Sequence, residues 1–79
     1  MIVTDLEWHS GSGLFTGFAE SVRKTRYRFG VRPRGEIVWI DRKLIEASGV
    51  YWLHLRNGPQ AVRSAVRAAV RSAVRRRAA

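Results

Sequence analysis

The sequence predicts a small α+β domain, an antiparallel β-meander of four or five strands packed by one C-terminal α-helix. Three observations carry this expectation. Segments up to Arg56 alternate apolar and polar residues or run apolar throughout, as strands do. Short Gly-, Ser- and Pro-bearing breaks separate them. After Pro59 a four-residue repeat begins that contains neither Gly nor Pro. The 79 residues suffice for one domain, with the sheet over about residues 2–56 and the helix over about 59–77. A hydrophobic fraction of 46% and an aromatic fraction of 10% belong to a folded chain, not a disordered tail.

The strands follow in order. Ile2 to His9 alternates, with Ile2, Leu6 and Trp8 assigned to one side and Val3, Asp5, Glu7 and His9 to the other. Ser10-Gly11-Ser12-Gly13 ends it; this run has neither the spacing nor the Lys of a phosphate-binding P-loop, so it reads as a turn. Leu14 to Ser21 forms the second strand, in which Gly17 marks a bulge or a close approach. Thr25 to Arg32 alternates most cleanly. Tyr27, Phe29 and Val31 point one way, towards a core, while Arg26, Arg28 and Arg32 form a basic ribbon extended by Lys24 and Arg34.

Arg32-Pro33-Arg34-Gly35 turns the chain into a strand from Glu36 to Asp41, apolar on both faces through Ile37, Val38, Trp39 and Ile40. Asp41 to Gly49 is either a short helix capped by Asp41 or a hairpin continuing through Leu44 and Ile45, with the hairpin preferred. Val50 to Arg56 is a further strand with apolar residues on both faces. The expected core is Tyr27, Phe29, Trp39 and Trp52 beneath Val62, Val66 and Ala69. A single helix covers one face of a sheet, so the remaining apolar residues suggest a homo-oligomer, most simply a two-fold dimer.

The C-terminal run is rich in Ala and Arg, both strong helix formers. Asn57 suits an N-cap or turn, and Pro59 suits the first turn. Val62, Val66, Val70 and Val74 are each followed by an arginine, and a period of four drifts about 40° per repeat against the helix. The best apolar face is then Val62, Val66, Ala69 and Ala73, with Val70 at its edge. Arg63, Arg67, Arg71 and Arg75 fall opposite its centre. Arg76 and Arg77 flank it, so the last turn is expected to project into solvent.

Function follows from charge. The chain has 15 basic and 6 acidic residues and a formal net charge of +9. From Ala47 onward there are seven arginines and no acid. Such a balance attracts polyanions. Arg63, Arg67, Arg71 and Arg75 form a row about 18 Å long, stepping about 6 Å per repeat, in which each guanidinium fork suits a phosphate. The row holds no Asn or Gln that would read bases, so backbone contact is expected. The candidate nucleic-acid-binding residues are Arg63, Arg67, Arg71, Arg75 and Arg76 on the helix, with Arg26, Arg28 and Arg32 on the ribbon. A solvated helix face in an arginine-rich proteome produces the same pattern, as does a surface that meets an acidic protein.

Catalysis finds no support. His9 and His54 form no recognisable dyad with Glu7 or Glu46, and two histidines without cysteine fall short of a zinc site. The expectation is a non-enzymatic binding protein with no metal and no cofactor. No apolar stretch approaches the roughly 18 residues of a membrane span, and the first residues lack a secretory pattern, so a soluble cytoplasmic protein is expected. The Val/Ala helix face also lacks the Trp, Phe or Leu of an interfacial membrane helix.

The aromatic-rich strands, the Trp-centred strand and the Ala/Arg helix resemble short proteins of actinobacterial phages and mobile elements. The element order is similar to the three-stranded sheet and C-terminal helix of integrase amino-terminal domains. The resemblance lies in the general pattern of nearly the whole chain, with no family motif, and it implies DNA binding. A phage-type inhibitor of an acidic host protein surface is the alternative.

Overall fold

The computed structural model describes residues 1–78, in the order β1 (Ile2–His9), β2 (Leu14–Glu20), β3 (Arg26–Val31), β4 (Ile37–Glu46), β5 (Gly49–Leu55) and α1 (Gln60–Ala78). The strands form one antiparallel sheet in sequence order, β1-β2-β3-β4-β5. Short turns between successive strands leave this local pairing as the simplest outcome. The Asp41–Gly49 segment is a hairpin: β4 continues through Leu44 and Ile45, and Leu44 pairs with Tyr51. The meander therefore has five strands, and α1 lies across one face, mainly over β1, β2 and β3.

The core sits between that face and α1. It is built from Phe15 and Ala19 of β2, Tyr27, Phe29 and Val31 of β3, Ile40 of β4, and Val62, Val66, Val70 and Ala73 of α1. The alternation of β3 is obeyed: Tyr27, Phe29 and Val31 are buried and face the helix.

Two bulges alter the parity elsewhere. In β4, Val31 pairs with Ile37 but Gly30 pairs with Trp39, so Val38 is the extra residue. Ile37 and Ile40 therefore both face α1, while Trp39 is turned to the other side. Trp52, opposite Lys43, lies on that side as well. The expected core of four aromatics is thus corrected: Tyr27 and Phe29 belong to it, whereas Trp39 and Trp52 are half-buried on the face away from the helix. In β1 the register shifts between Thr4 and Glu7, with Asp5 at φ 54°. Val3, Leu6 and Trp8 pack on the core and Ile2 does not, which exchanges Ile2 and Val3 relative to strict alternation.

Two glycines make room for rings on opposite faces. Gly17 sits across from Phe29 in the β2–β3 register, and a Cβ there would lie 2.9 Å from Phe29 Cζ. The close approach anticipated at Gly17 is therefore this ring. Gly30 sits across from Trp39, and a Cβ there would fall within the indole itself. The Trp39 ring lies against the sheet only because Gly30 has no side chain.

Helix α1 starts after Pro59, whose carbonyl accepts the first helical hydrogen bond from Arg63 N at 3.1 Å. Pro59 thus takes the N-cap place, and Asn57 belongs to the preceding turn. The buried stripe is Val62, Val66, Val70 and Ala73, with Ala69 only half-buried. Relative to the expected face, the helix is rolled by about 30° so that Val70 reaches the sheet. Valine removes more apolar surface from water than alanine, about 1.5 kcal/mol or more for a fully buried side chain, and the contact selects it.

Candidate nucleic-acid interface

The roll of α1 sets the environment of each arginine in the repeat. With the buried stripe centred on Val66, the four-residue drift places Arg63 about 60° from that centre, Arg67 about 100°, Arg71 about 140° and Arg75 about 180°. Arg63 and Arg67 are accordingly half-buried at the flank, and Arg71 and Arg75 are exposed. The row is a spiral and not a line opposite the core.

The flank meets the β3–β4 turn. Arg67 Nε donates to Gly35 O at 3.1 Å, fastening the helix to that turn. Beside this bond a cleft of about 210 Å³ is lined by Pro33, Arg34, Gly35, Arg67, Arg71, Val74 and Arg75. A second cleft of about 180 Å³ continues from Arg67 past Arg63 to Arg56 and Asn57, with Glu36 and His54 also in its lining. Together they trace one cationic strip: Arg56, Arg63, Arg67, Arg34, Arg71 and Arg75. Among the described residues, no carboxylate reaches ion-pairing distance of Arg34, Arg63, Arg71 or Arg75.

Arg34 and Arg56 are additions to the residues nominated from sequence. Arg34 counted there as the end of the β3 ribbon. The tight turn closed by Gly35 N donating to Arg32 O instead brings it to the helix. No local pattern announces this, because contact between turn and helix is set by the sheet between them.

Arg76 and Arg77 lie beyond the strip. Arg76 donates to Ser72 Oγ at 2.9 Å. The Arg77 guanidinium lies 5.3 Å from the Trp8 ring centroid, so this residue folds over the end of the core instead of projecting freely.

The ribbon arginines are on the opposite face of the sheet, and each has a partner. Arg28 Nε donates to Asp41 Oδ2 at 2.8 Å, while its guanidinium lies 4.6 Å over Trp52. Arg26 lies 4.4 Å over Phe18. Arg32, at the turn, donates to Glu36 Oε1 at 3.1 Å. His54 Nδ1 is 3.2 Å from Asp41 Oδ1. Desolvation of Asp41 opposes its ionisation, but the hydrogen bonds and charge of Arg28 and His54 outweigh it and hold the carboxyl below its usual range. Asp41 thus ties β4 to the basic face of β3.

A broad concavity of about 1020 Å³ occupies this second face, lined by Asp5, Glu7, His9, Phe18, Arg28 and Trp39 among others. Its charges are mixed, so it does not select a polyanion. The eight nominated arginines consequently do not form one surface, and a single straight duplex cannot touch both groups.

Among the described residues no helix is long and apolar enough to cross a membrane. No protein family, curated protein or solved structure matches the chain.

Proposed function

We propose that the protein is a non-enzymatic nucleic-acid-binding module that holds the phosphate backbone along the strip formed by Arg34, Arg63, Arg67, Arg71 and Arg75. The observation that carries this reading is the α1–turn cleft, where four arginines converge with no acidic side chain in its lining. Gathering like charges is unfavourable for the isolated chain, and an anion bound between them relieves that repulsion. Arg67 is held by Gly35 O, which presets one guanidinium and lessens the ordering cost of binding. The guanidinium forks of the strip suit phosphate oxygens, which supports contact with the backbone. An acidic protein surface offers carboxylates to the same forks and is the competing outcome.

The test is affinity for a generic duplex and a single strand across a salt series. Five phosphate contacts give a log–log slope of about −4 to −5 on duplex. Changing Arg71 and Arg75 to Ala should lower that slope by about two and leave the melting temperature unchanged, since both side chains are exposed. Absence of duplex, single-strand and RNA binding at low salt rejects the proposal in favour of a protein partner. Capture of one host protein, lost in the same variant, would then identify the alternative.

A further inference from the structure

The β4–β5 hairpin extends past the helix, and it is the least satisfied part of the fold. Ile45, Val50, Tyr51 and Leu53 are 76%, 58%, 41% and 45% exposed. They occupy both faces of the hairpin: Leu44, Tyr51 and Leu53 share the helix side, while Ile45 and Val50 pair on the other. Tyr51 Oη donates to Glu46 Oε1 at 2.6 Å, which fixes the ring along the hairpin. Strand β5 is also an edge of the sheet, with its outer backbone groups unpaired within the sheet.

The two edges of the sheet are unlike. Edge β1 carries the bulge at Asp5 and the charges of Asp5 and Glu7, all of which obstruct the addition of another strand. Edge β5 pairs with β4 in unbroken register from Ile40–Leu55 to Glu46–Gly49. Its sequence, Gly-Val-Tyr-Trp-Leu-His-Leu, is rich in β-branched and aromatic residues and contains no Asp, Glu, Lys or Arg. In a chain of net charge +9, this seven-residue edge is a neutral seam.

We propose that two copies of this chain pair antiparallel along β5, forming a continuous ten-stranded sheet. A second copy is the partner that fits. An antiparallel two-fold contact sets the same strand against itself, so apolar residues meet apolar residues and the neutral segments coincide. Cross-strand packing then covers Val50, Tyr51 and Leu53. The bulged, acidic β1 strands become both outer edges, which stops the assembly at two. The two-fold axis runs perpendicular to the sheet, so both α1 helices lie on the same side. The dimer thereby presents two arginine strips in one direction. The pairing itself does not depend on the nucleic-acid reading.

Sedimentation without nucleic acid tests it. At tens of micromolar the protein should be dimeric, and added salt should strengthen the dimer because it screens repulsion between two cationic copies. Nucleic-acid binding weakens with salt, so the two proposals fail separately. The double variant V50K/L53K places one charge on each face of the seam. It should weaken the dimer by roughly tenfold or more, with the circular dichroism of the folded chain unchanged, because both positions are exposed. The chain has no cysteine, so single cysteines placed along residues 50–54 report the register by disulfide trapping. Cross-linking should peak at one position, nearest the two-fold axis. A monomer at every salt concentration overturns the proposal. So does a V50K/L53K dimer of undiminished strength, or cross-linking through a cysteine at Thr4 in preference to β5.

Discussion

The two faces of the sheet carry arginines in opposite circumstances. On the open face, Arg26 and Arg28 lie over Phe18 and Trp52, and Arg28 also meets Asp41. On the helix side, Arg34, Arg71 and Arg75 surround a cleft together with Arg67, and carboxylates are absent from its lining. Residue type is the same and the surroundings differ. Arginines already engaged with rings and acids must lose those contacts to meet a new anion, whereas the gathered ones gain from it. Position in the fold, not composition, decides which arginines are available.

The largest effect separates the faces as structural elements. Phe29 is fully buried under α1, so Phe29→Ala should cost about 3–5 kcal/mol and unfold much of a domain this small. Trp39→Ala, on the open face, should cost clearly less despite the larger ring. Thermal unfolding of both variants measures the difference, and equal losses would mean that the open face is a second core.

A smaller effect is expected where Trp39 lies against the sheet. Gly30→Ala places a methyl group in the space of the indole and should destabilise by about 1–3 kcal/mol, the usual range for overpacking. It should also shift tryptophan fluorescence as the ring is displaced. Stability and emission like those of the wild type would show that the ring does not need Gly30.

The smallest effect concerns the Arg28–Asp41 pair, whose partial exposure limits it to about 1 kcal/mol or less. The folded Asp41 carboxyl has a lowered pKa, so the pair's contribution is complete above about pH 4 and is lost as pH falls through the lowered value. Arg28→Ala should therefore lower the melting temperature slightly at neutral pH, and the gap from wild type should close in acid. Nucleic-acid affinity should change far less than in the Arg71/Arg75 variant. An equal loss of affinity would erase the distinction between the faces.

Much of the fold is readable from the chain. The period-two pattern in β3, the Ser-Gly and Pro-Gly breaks, and the uninterrupted Ala/Val/Arg helix identify the elements, because each reflects backbone geometry over a few residues. The hairpin through Leu44 and Ile45 is legible for the same reason. Bulges are not. One extra residue at Val38 reverses the faces of Trp39 and Ile40, and its signal lies in pairing with β3. The roll of α1, which buries Val70 and only half-buries Ala69, depends on the sheet beneath it.

The candidate site divides along the same line. Sequence alone determined that positive charge is concentrated in the last third of the chain and repeats every four residues. Only the tertiary structure decided that Arg34 joins Arg67, Arg71 and Arg75, and that Arg26 and Arg28 face the other way. The physical reason is range. Helix and strand periods are properties of neighbouring residues, whereas the company an arginine keeps is set by contacts between residues far apart in sequence, such as Arg67 with Gly35 and Arg28 with Asp41.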